Sequence, residues 1–497
     1  MPQRKSVVII GAGIGGIATA IKLAKNGFDV TVYEKNPAPG GRVSQTIREG
    51  HRFDLGATIF LMPGIYRSTF ASLGINLDEF IEFLPVTTLY QIYFDDGAVL
   101  DFTSDEKKMK TQLEAIEPGS YPMMKAYLDE GYGFLQLGLS KLLGRNFYRL
   151  FDFVNLRNVK LLIDLKTYIR HQTFVNRFFR HPHLQMAFTF QNIYVGQSPY
   201  EAPALFSMLP AAELLEESMF PKGGMNRIAA RLVEYAEQLG VNFVCNKPVA
   251  KILTDNRKAT GLLFEDGTRV DAGIVVANAD LPYIYSNLLP DKRKAARINK
   301  LKHACSAIVF HWAIDKQYPG IAQHNVFLSD QYRQCLDTIF KDKSLSEDFC
   351  FYIHSPVRTD STAAPEGQDS ISVVIPVGHI DPAKNQDWSQ IRSMAREGVI
   401  NRLKKLGWAD LEDHIKFEIC YLPGTWESLF HVSKGATFGS LGHNIMQMGY
   451  FRPHNRHRHY RNLYFTGGST HPGNGIPLVL LSAKLTSERI LKEQSAV

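Results

Sequence analysis

The sequence has little of what marks exported, membrane-spanning or metal-binding proteins. Cysteine accounts for only five of the 497 residues and has no C-x-x-C spacing, which argues against a disulfide framework or a cysteine-ligated metal site. No apolar run reaches about eighteen residues, so no transmembrane helix is predicted. The apolar run after the basic start is too short for a signal peptide, and we expect no export. Repeats and low-complexity tracts are also missing, and the length is typical of about two to four globular domains.

The first stretch has the layout of a dinucleotide-binding unit. A short apolar run, which predicts a buried strand, leads into Gly11, Gly13 and Gly16. Helical periodicity follows, and then a second predicted strand that ends in Glu34. In this layout the glycines permit a tight turn, close approach of the backbone to a pyrophosphate, and close packing of helix on strand. The helix N-terminus stabilises the pyrophosphate charge, and Glu34 accepts hydrogen bonds from a ribose. The order of these parts predicts a bound dinucleotide.

The next residues help to decide which dinucleotide is bound. Gly40, Gly41 and Arg42 form a second glycine turn, whose arginine suits phosphate oxygens. The E-x5-G-G-R-x10-F-D-x-G pattern from Glu34 to Gly56 resembles that of the FAD-binding superfamily, which includes amine oxidases and carotenoid desaturases. No second G-x-G-x-x-G occurs downstream, so a separate nicotinamide-binding domain is not expected. The resemblance implies FAD as the cofactor.

The C-terminal stretch carries a more specific resemblance. Residues 462–477 read NLYFTGGSTHPGNGIP, which resembles the C-terminal motif of the bacterial carotenoid (phytoene) desaturase family. PKGGM at 221–225 and FRPHNR at 451–456 also match this family, so the resemblance spans nearly the whole chain. Asn474 stands where the phytoene-desaturating branch usually has a small residue. With the run at 475–484, it places the sequence closest in motif to the 1-hydroxycarotenoid 3,4-desaturase branch.

This resemblance implies an FAD-dependent oxidoreductase that introduces a C–C double bond into a C40 polyene by hydride transfer to flavin N5. We expect 3,4-desaturation of a 1-hydroxycarotenoid. Phytoene desaturation is the alternative, and a reaction like that of the flavin amine oxidases is a more distant one. A non-enzymatic prenyl-binding escort of the same fold is another class, against which the intact set of Gly11, Glu34, Arg42 and Gly468 argues. The sequence identifies no catalytic base. We therefore expect hydride loss to drive the elimination, while the protein positions the polyene in a tunnel.

The motifs and the resemblance together define a set of expected cofactor-binding residues. They are Gly11, Gly13, Ile14, Gly15, Gly16, Glu34, Lys35, Gly41, Arg42, Thr58, Ile59, Val249, Asn278, Gly468, Gly475 and Ile476. By the resemblance, Arg42 lies against the diphosphate, and Thr58 and Ile59 lie near the flavin. His454, His457 and His459 have no cysteine or carboxylate at ligand spacing, so we interpret them as part of a basic surface loop and expect no metal.

The expected fold is α/β. A Rossmann-like FAD-binding domain is assembled from discontinuous segments, with an inserted α+β substrate domain and a helical, basic, membrane-facing subdomain. We predict segments 1–85, 220–290 and 441–497 for the FAD-binding domain, 86–133 and 291–440 for the substrate domain, and 134–205 for the helical subdomain.

The basic residues concentrate between residues 134 and 183. This stretch contains nine lysines and arginines and two acidic residues, while the whole chain has a net charge of +7. Val159, Ile163 and Ile169 fall at helical spacing and predict a basic amphipathic helix that suits an anionic membrane surface. A solvated helical face is the alternative, and no recognition motif supports nucleic-acid binding. We expect a cytoplasmic protein, peripherally associated with the inner face of the cell membrane, with a carotenoid substrate and no obligate protein partner.

Overall fold

The computed structural model describes residues 5–289 and 291–494. The strands are β1 (Ser6–Ile10), β2 (Asp29–Tyr33), β3 (Gln45–Arg48), β4 (His51–Asp54), β5 (Phe83–Pro85), β6 (Thr88–Tyr93), β7 (Val99–Thr103), β8 (Met219–Pro221), β9 (Asn242–Val244), β10 (Val249–Asp255), β11 (Lys258–Phe264), β12 (Arg269–Asp271), β13 (Ile274–Ala277), β14 (Ser306–Ile314), β15 (His324–Phe327), β16 (Phe351–His354), β17 (Asp369–Val377), β18 (Ile415–Tyr421) and β19 (Leu463–Phe465). The α-helices are α1 (Ile14–Ala24), α2 (Pro63–Ser72), α3 (Leu77–Phe80), α4 (Glu106–Ile116), α5 (Ser120–Gly138), α6 (Leu156–Asp164), α7 (His171–Val175), α8 (Pro182–Ala187), α9 (Met208–Leu215), α10 (Asn226–Gln238), α11 (Leu281–Tyr283), α12 (Lys292–Asn299), α13 (Tyr332–Asp337), α14 (Trp388–Lys405), α15 (Leu411–His414), α16 (Pro423–Phe430) and α17 (Ile476–Gln494).

A five-stranded parallel sheet has the order β19–β13–β1–β2–β9. Its central strand β1 is an almost unbroken apolar run, as expected for a parallel strand covered on both faces. Helix α1 is buried along most of its length and packs against α10 and α17. The five strands come from the beginning, the middle and the end of the chain. The prediction of a Rossmann-like domain assembled from discontinuous segments is therefore confirmed.

A seven-stranded mixed sheet forms the second large layer, in the order β18–β14–β17–β16–β15–β6–β7. Only β15 and β6 are parallel to each other, and the other neighbours are antiparallel. Successive strand residues point to opposite faces of a sheet. Accordingly, Ile308, Phe310 and Trp312 of β14 pack in one core with Val399 and Leu403 of α14. The other face of the sheet is free to border a cavity.

Between β7 and β8 the chain is mostly helical, with an aromatic core that includes Tyr127, Phe174 and Phe188. A helix reaching Ile169 was predicted here, but α6 ends at Asp164. The prediction is wrong because Lys166 has a left-handed backbone (φ 48°), which interrupts the helix. Among the described helices, none is both long enough and apolar enough to span a bilayer.

The segment boundaries proposed from the sequence stay predictions. Their outermost residues, 1–4 and 495–497, lie outside the described residues, as does residue 290 at the end of the second FAD-binding segment.

Candidate active site

A cavity of about 470 Å³ lies at the carboxyl ends of the parallel strands and continues along the seven-stranded sheet. Gly11 follows β1, Glu34 follows β2, Asn278 follows β13 and Thr466 follows β19, and all four line the cavity. Open α/β sheets bind their ligands at this edge. The topology therefore brings distant parts of the chain to one ligand site.

The first glycine turn leaves no room for side chains. Gly11 has φ +91° and its N–H donates to the Tyr33 carbonyl at 2.8 Å. A Cβ atom on Gly13 would lie 2.9 Å from Asn278 Nδ2, and one on Gly16 would lie 2.3 Å from the Gly11 carbonyl oxygen. The turn is therefore packed tightly against Asn278, and α1 begins directly after it at Ile14.

The second glycine turn lies on the first and presents Arg42 to the cavity. A Cβ atom on Gly41 would lie 3.0 Å from Gly13 Cα. Arg42 donates from Nη1 to the Thr437 carbonyl at 3.3 Å, its one hydrogen bond to the described residues. Burial lowers the pKa of Arg42, while Asp280 has the opposite effect. A partly buried guanidinium with most of its N–H groups unpaired is suited to an anionic ligand.

Glu34 is buried directly after β2 and connects the first glycine turn to the loop that precedes the second. One carboxylate oxygen accepts the Ala12 N–H at 2.8 Å, and the other accepts the Asn36 N–H at 2.9 Å. Each carboxylate oxygen keeps acceptor capacity for a further donor such as a ribose hydroxyl. Glu34 therefore has a structural role in addition to the predicted binding role.

The cavity is lined by fifteen of the sixteen residues predicted to bind the cofactor. They are Gly11, Gly13, Ile14, Gly15, Glu34, Lys35, Gly41, Arg42, Thr58, Ile59, Val249, Asn278, Gly468, Gly475 and Ile476. Gly16 lies behind the turn, where it allows α1 to approach the Gly11 carbonyl. The contact of each residue with the cofactor stays a prediction.

Some lining residues were not predicted from the sequence. Asp280 lies two residues after Asn278 and accepts hydrogen bonds from the Ser433 N–H at 2.9 Å and the Ser440 hydroxyl at 2.7 Å. Its place beyond the end of β13 is a signal that could have identified it. Residues 429–432 and 437–439 also line the cavity, although we had assigned them to the substrate domain. No local motif marks these residues.

These features fit FAD. The glycine turns form a cradle that any Cβ atom would fill, Arg42 is available to a diphosphate, and Glu34 is available to a ribose. The cavity extends past this cradle along the seven-stranded sheet.

The remaining part of the cavity is bordered by one face of the seven-stranded sheet. The lining side chains alternate along the strands: Ala307, Val309 and His311 of β14, and Ser372, Val374 and Pro376 of β17. Residues at helical spacing in and after α13 add a largely apolar side: Tyr332, Cys335, Leu336 and Ile339. This part of the cavity is suited to a long hydrocarbon ligand.

A row of polar side chains crosses the same sheet. The strand register pairs His324 with His354, His354 with Ser372, and Ser372 with His311. Burial lowers the pKa values of His311 and His324 to about 3, so both rings are neutral near pH 7. His311 Nδ1 lies 2.8 Å from the Ser372 hydroxyl, whereas Nε2 has no partner among the described residues. His311 therefore has one unpaired ring nitrogen among the described residues that line the cavity.

Asn474 is a second polar residue in the lining. Its side-chain N–H donates to the Phe438 carbonyl, and a Cβ atom on Gly439 would lie 2.3 Å from Asn474 Nδ2. The amide is thus tightly enclosed, while its Oδ1 is buried without a hydrogen-bond partner in the described structure. Asn474 therefore has one buried acceptor that no described residue satisfies.

The histidines near residue 457 do not form a metal site. Among the described residues, no group of three or more His, Cys, Asp or Glu side chains could hold a metal ion. His457 Nδ1 instead accepts the N–H groups of His459 and Tyr460, both at 3.0 Å. The interpretation of these histidines as a surface loop is wrong for His457, which is buried.

Comparison with known proteins agrees with this geometry. Residues 14–491 match the model of the family described as flavin containing amine oxidoreductase. The chain is 39% identical to a phytoene desaturase of Neurospora crassa over 98% of this chain and 85% of that protein. It is 38% identical to a zeta-carotene-forming phytoene desaturase of Myxococcus xanthus, over 98% of this chain and 94% of that protein.

Similarity to solved structures supports the same fold. A putrescine oxidase bound to putrescine superposes with a TM-score of 0.63, at 14% identity and covering 99% of each chain. At this identity the comparison supports the fold alone.

Proposed function

The chain belongs to the flavin-containing amine oxidoreductase family and, within it, to the carotenoid desaturases, and from this premise we propose that it is a 3,4-desaturase of 1-hydroxylated carotenoids. The enzyme is an FAD-dependent oxidoreductase. When bound, FAD supplies the acceptor for the hydride that leaves the substrate.

The protein's own residues have binding and positioning roles in this reaction. The glycine turns and Glu34 would hold the nucleotide, and Arg42 would neutralise the diphosphate. The largely apolar wall along β14, β17 and α13 would exclude water and align the polyene for hydride loss.

The unpaired Oδ1 of Asn474 carries the proposal for a hydroxylated substrate. A pure hydrocarbon such as phytoene would leave this buried acceptor unsatisfied, which costs about 1–3 kcal/mol. A terminal carbinol supplies the missing O–H donor. Because His311 Nε2 is also unpaired at the cavity wall, the cavity has two polar groups that a hydrocarbon cannot satisfy.

The test compares two substrates embedded in liposomes. Protein loaded with FAD is given either a 1-hydroxylated acyclic carotenoid or phytoene, and products are identified by absorption and mass spectrometry. We expect kcat/KM to favour the hydroxylated substrate by about 5- to 150-fold, the equivalent of one satisfied buried acceptor. Asn474→Leu should lower this preference while retaining turnover of phytoene, which serves as the internal control.

Phytoene desaturation is the second candidate. The names of the relatives from Neurospora crassa and Myxococcus xanthus favour it. Equal or faster turnover of phytoene by the unaltered protein would establish this alternative in place of the first.

The physical properties of the substrate also suggest a partner, the membrane surface. A C40 polyene is almost insoluble in water, because each exposed CH₂ costs about 0.8 kcal/mol. Transfer from lipid directly into the cavity avoids this cost only if the protein contacts the bilayer. We therefore propose peripheral binding to an anionic membrane.

The best candidate for this contact is a surface that we name the docking surface, residues 148–163. Leu156, Val159 and Ile163 form one face of α6, and they are 90%, 49% and 54% exposed. Arg157 and Lys160 are exposed on the same helix, without an ion pair in the described structure. By contrast, Lys166, which we had counted among the basic residues of this region, is ion-paired with Glu130. An amphipathic helix of this kind suits the interface of an anionic bilayer.

A further inference from the structure

A buried carboxyl group lies close to the cavity and has no role in the functions described above. Glu213 is on α9 and is 4% exposed. One of its oxygens accepts the Tyr90 hydroxyl at 2.7 Å, and the other has no partner among the described residues. A buried carboxylate without a cation is costly unless it is hydrogen-bonded. Its presence in an aromatic core therefore requires an explanation.

A chain of hydroxyl groups connects this carboxyl to the cavity. Tyr194 lines the cavity, whereas Tyr90 and Glu213 do not. The Tyr194 hydroxyl donates to the Tyr90 oxygen at 2.8 Å, and the Tyr90 hydroxyl donates to Glu213. Both hydrogen bonds point from the cavity towards the carboxylate. The Tyr194 oxygen keeps acceptor capacity, because its own proton is used towards Tyr90.

We propose that Tyr194, Tyr90 and Glu213 form a proton relay that removes the proton released during desaturation. This inference rests on the desaturase activity, but not on which carotenoid is the substrate. One C–H bond of the substrate breaks with loss of hydride to FAD. The C–H bond on the adjacent carbon then breaks, its electron pair forms the double bond, and its proton passes to the Tyr194 oxygen. Tyr194 passes its own proton to Tyr90, and Tyr90 passes its proton to the Glu213 carboxylate.

The groups that face Glu213 carry no charge near pH 7, so burial determines its protonation. Tyr194 and Gln191 face it from the 3₁₀ helix Phe190–Val195, which follows α8, and Tyr90 faces it from β6. Tyr127 faces it from α5 and is hydrogen-bonded at 2.8 Å to His171, whose pKa burial lowers to about 4. All of these groups are neutral near pH 7.

On α5, Tyr132 reaches Glu216 rather than Glu213. Residues 204–207 bring no ionisable side chain to the site. Burial raises the pKa of Glu213 to about 8. The ionised form that accepts a proton therefore increases as the pH rises through that value.

The first test is kinetic. Single-turnover reduction of the FAD-loaded protein is followed from pH 6 to 9 (roughly two pH units below the Glu213 pKa to one above it), with phytoene and with a 1-hydroxylated carotenoid. For the unaltered protein we expect the rate to rise with pH through about 8. Glu213→Gln keeps the size and the acceptor for Tyr90, but it should lower the rate by at least about 100-fold and remove the rising limb. Tyr194→Phe should lower the rate similarly. Glu216→Gln, just beyond α9, is the control and should behave as the unaltered protein.

The second test does not depend on activity. The infrared difference spectrum between the unaltered protein and Glu213→Gln should contain a protonated-carboxyl band that disappears as the pH rises through about 8. If Glu213→Gln keeps the rate and the pH profile, or if the band does not titrate, the relay is refuted. If the unaltered protein turns over neither carotenoid, the proposed function fails, and the infrared titration alone decides whether Glu213 is a proton acceptor in this range.

Discussion

At the scale of single residues, Glu34 and Arg42 contribute to the nucleotide site in different ways. Both oxygens of Glu34 already accept backbone N–H groups, so its removal would disturb the turn as well as the cofactor. Arg42 has one weak hydrogen bond at 3.3 Å, to Thr437, and its remaining donors are directed to no described residue. Arg42 is therefore the cleaner probe of cofactor binding.

Arg42→Gln should weaken FAD binding without unfolding the protein. Each charge-assisted hydrogen bond to the diphosphate that is lost costs about 1.5–3 kcal/mol, or about 10- to 150-fold in the dissociation constant. Fluorescence titration of FAD into apoprotein measures this change. Arg48→Gln on the adjacent strand β3, where the arginine is exposed beside Glu49, is the matched control and should leave affinity unchanged. Equal affinities of the two variants would contradict the role of Arg42.

At the scale of elements, two of the three glycines of helix α5 have opposite environments. A Cβ atom on Gly131 would lie 2.6 Å from the Ser207 carbonyl oxygen and 3.0 Å from Ala211 Cβ. A Cβ atom on Gly133 would meet nothing within 4 Å. Gly131 thus allows the close packing of α5 on α9, the helix that carries Glu213, whereas Gly133 has no such function.

Gly131→Ala and Gly133→Ala should therefore change stability in opposite directions. The first overpacks the α5–α9 contact and should lower the free energy of unfolding by about 1–3 kcal/mol. Gly133→Ala improves helix propensity and should raise the free energy of unfolding by about 0.5–1 kcal/mol. Urea denaturation of both variants measures the difference. A neutral Gly131→Ala would show that the α5–α9 packing is looser than described, and a destabilising Gly133→Ala would show that the space beside Gly133 is not open.

The elements of the nucleotide site could be predicted because their signals are local. The strand, the glycines, the helix and Glu34 follow one another within the first 34 residues, and the structure has β1, α1 and β2 in that order. The end of α6 was missed because it depends on the left-handed conformation of Lys166, a residue with no sequence preference for it. The order of local signals in the sequence predicts which helices and strands form, but it predicts less well where they end.

At the scale of the whole molecule, the substrate part of the site could not be predicted. The row from His324 to His311 exists only through the strand register, and β15 pairs with β6 more than 200 residues earlier in the chain. Glu213, Tyr90 and Tyr194 likewise come from three separate stretches. No motif or fixed spacing in the sequence identifies such groups.

The docking surface is also a property of the whole molecule, because its apolar residues matter only where the fold leaves them exposed. Changing Leu156, Val159 and Ile163 together to Gln should remove the apolar part of membrane binding. A fully buried side chain of this type contributes about 1.5–3 kcal/mol, so we expect at least about a tenfold loss of binding to anionic liposomes in co-sedimentation. Arg157→Gln with Lys160→Gln should remove about 1 kcal/mol per charge.

A control variant and the salt dependence distinguish membrane docking from a general effect of surface polarity. Ile47 and Leu406 are apolar residues outside the docking surface, 67% and 40% exposed, and their double change to Gln should leave liposome binding intact. Salt should weaken the part of the binding that depends on Arg157 and Lys160. It should weaken the part that depends on the apolar face of α6 much less. If the triple variant co-sediments as the unaltered protein does and desaturates liposome-embedded carotenoid at the same rate, this face of α6 is only a solvated helix surface, and the polyene enters the cavity by another route.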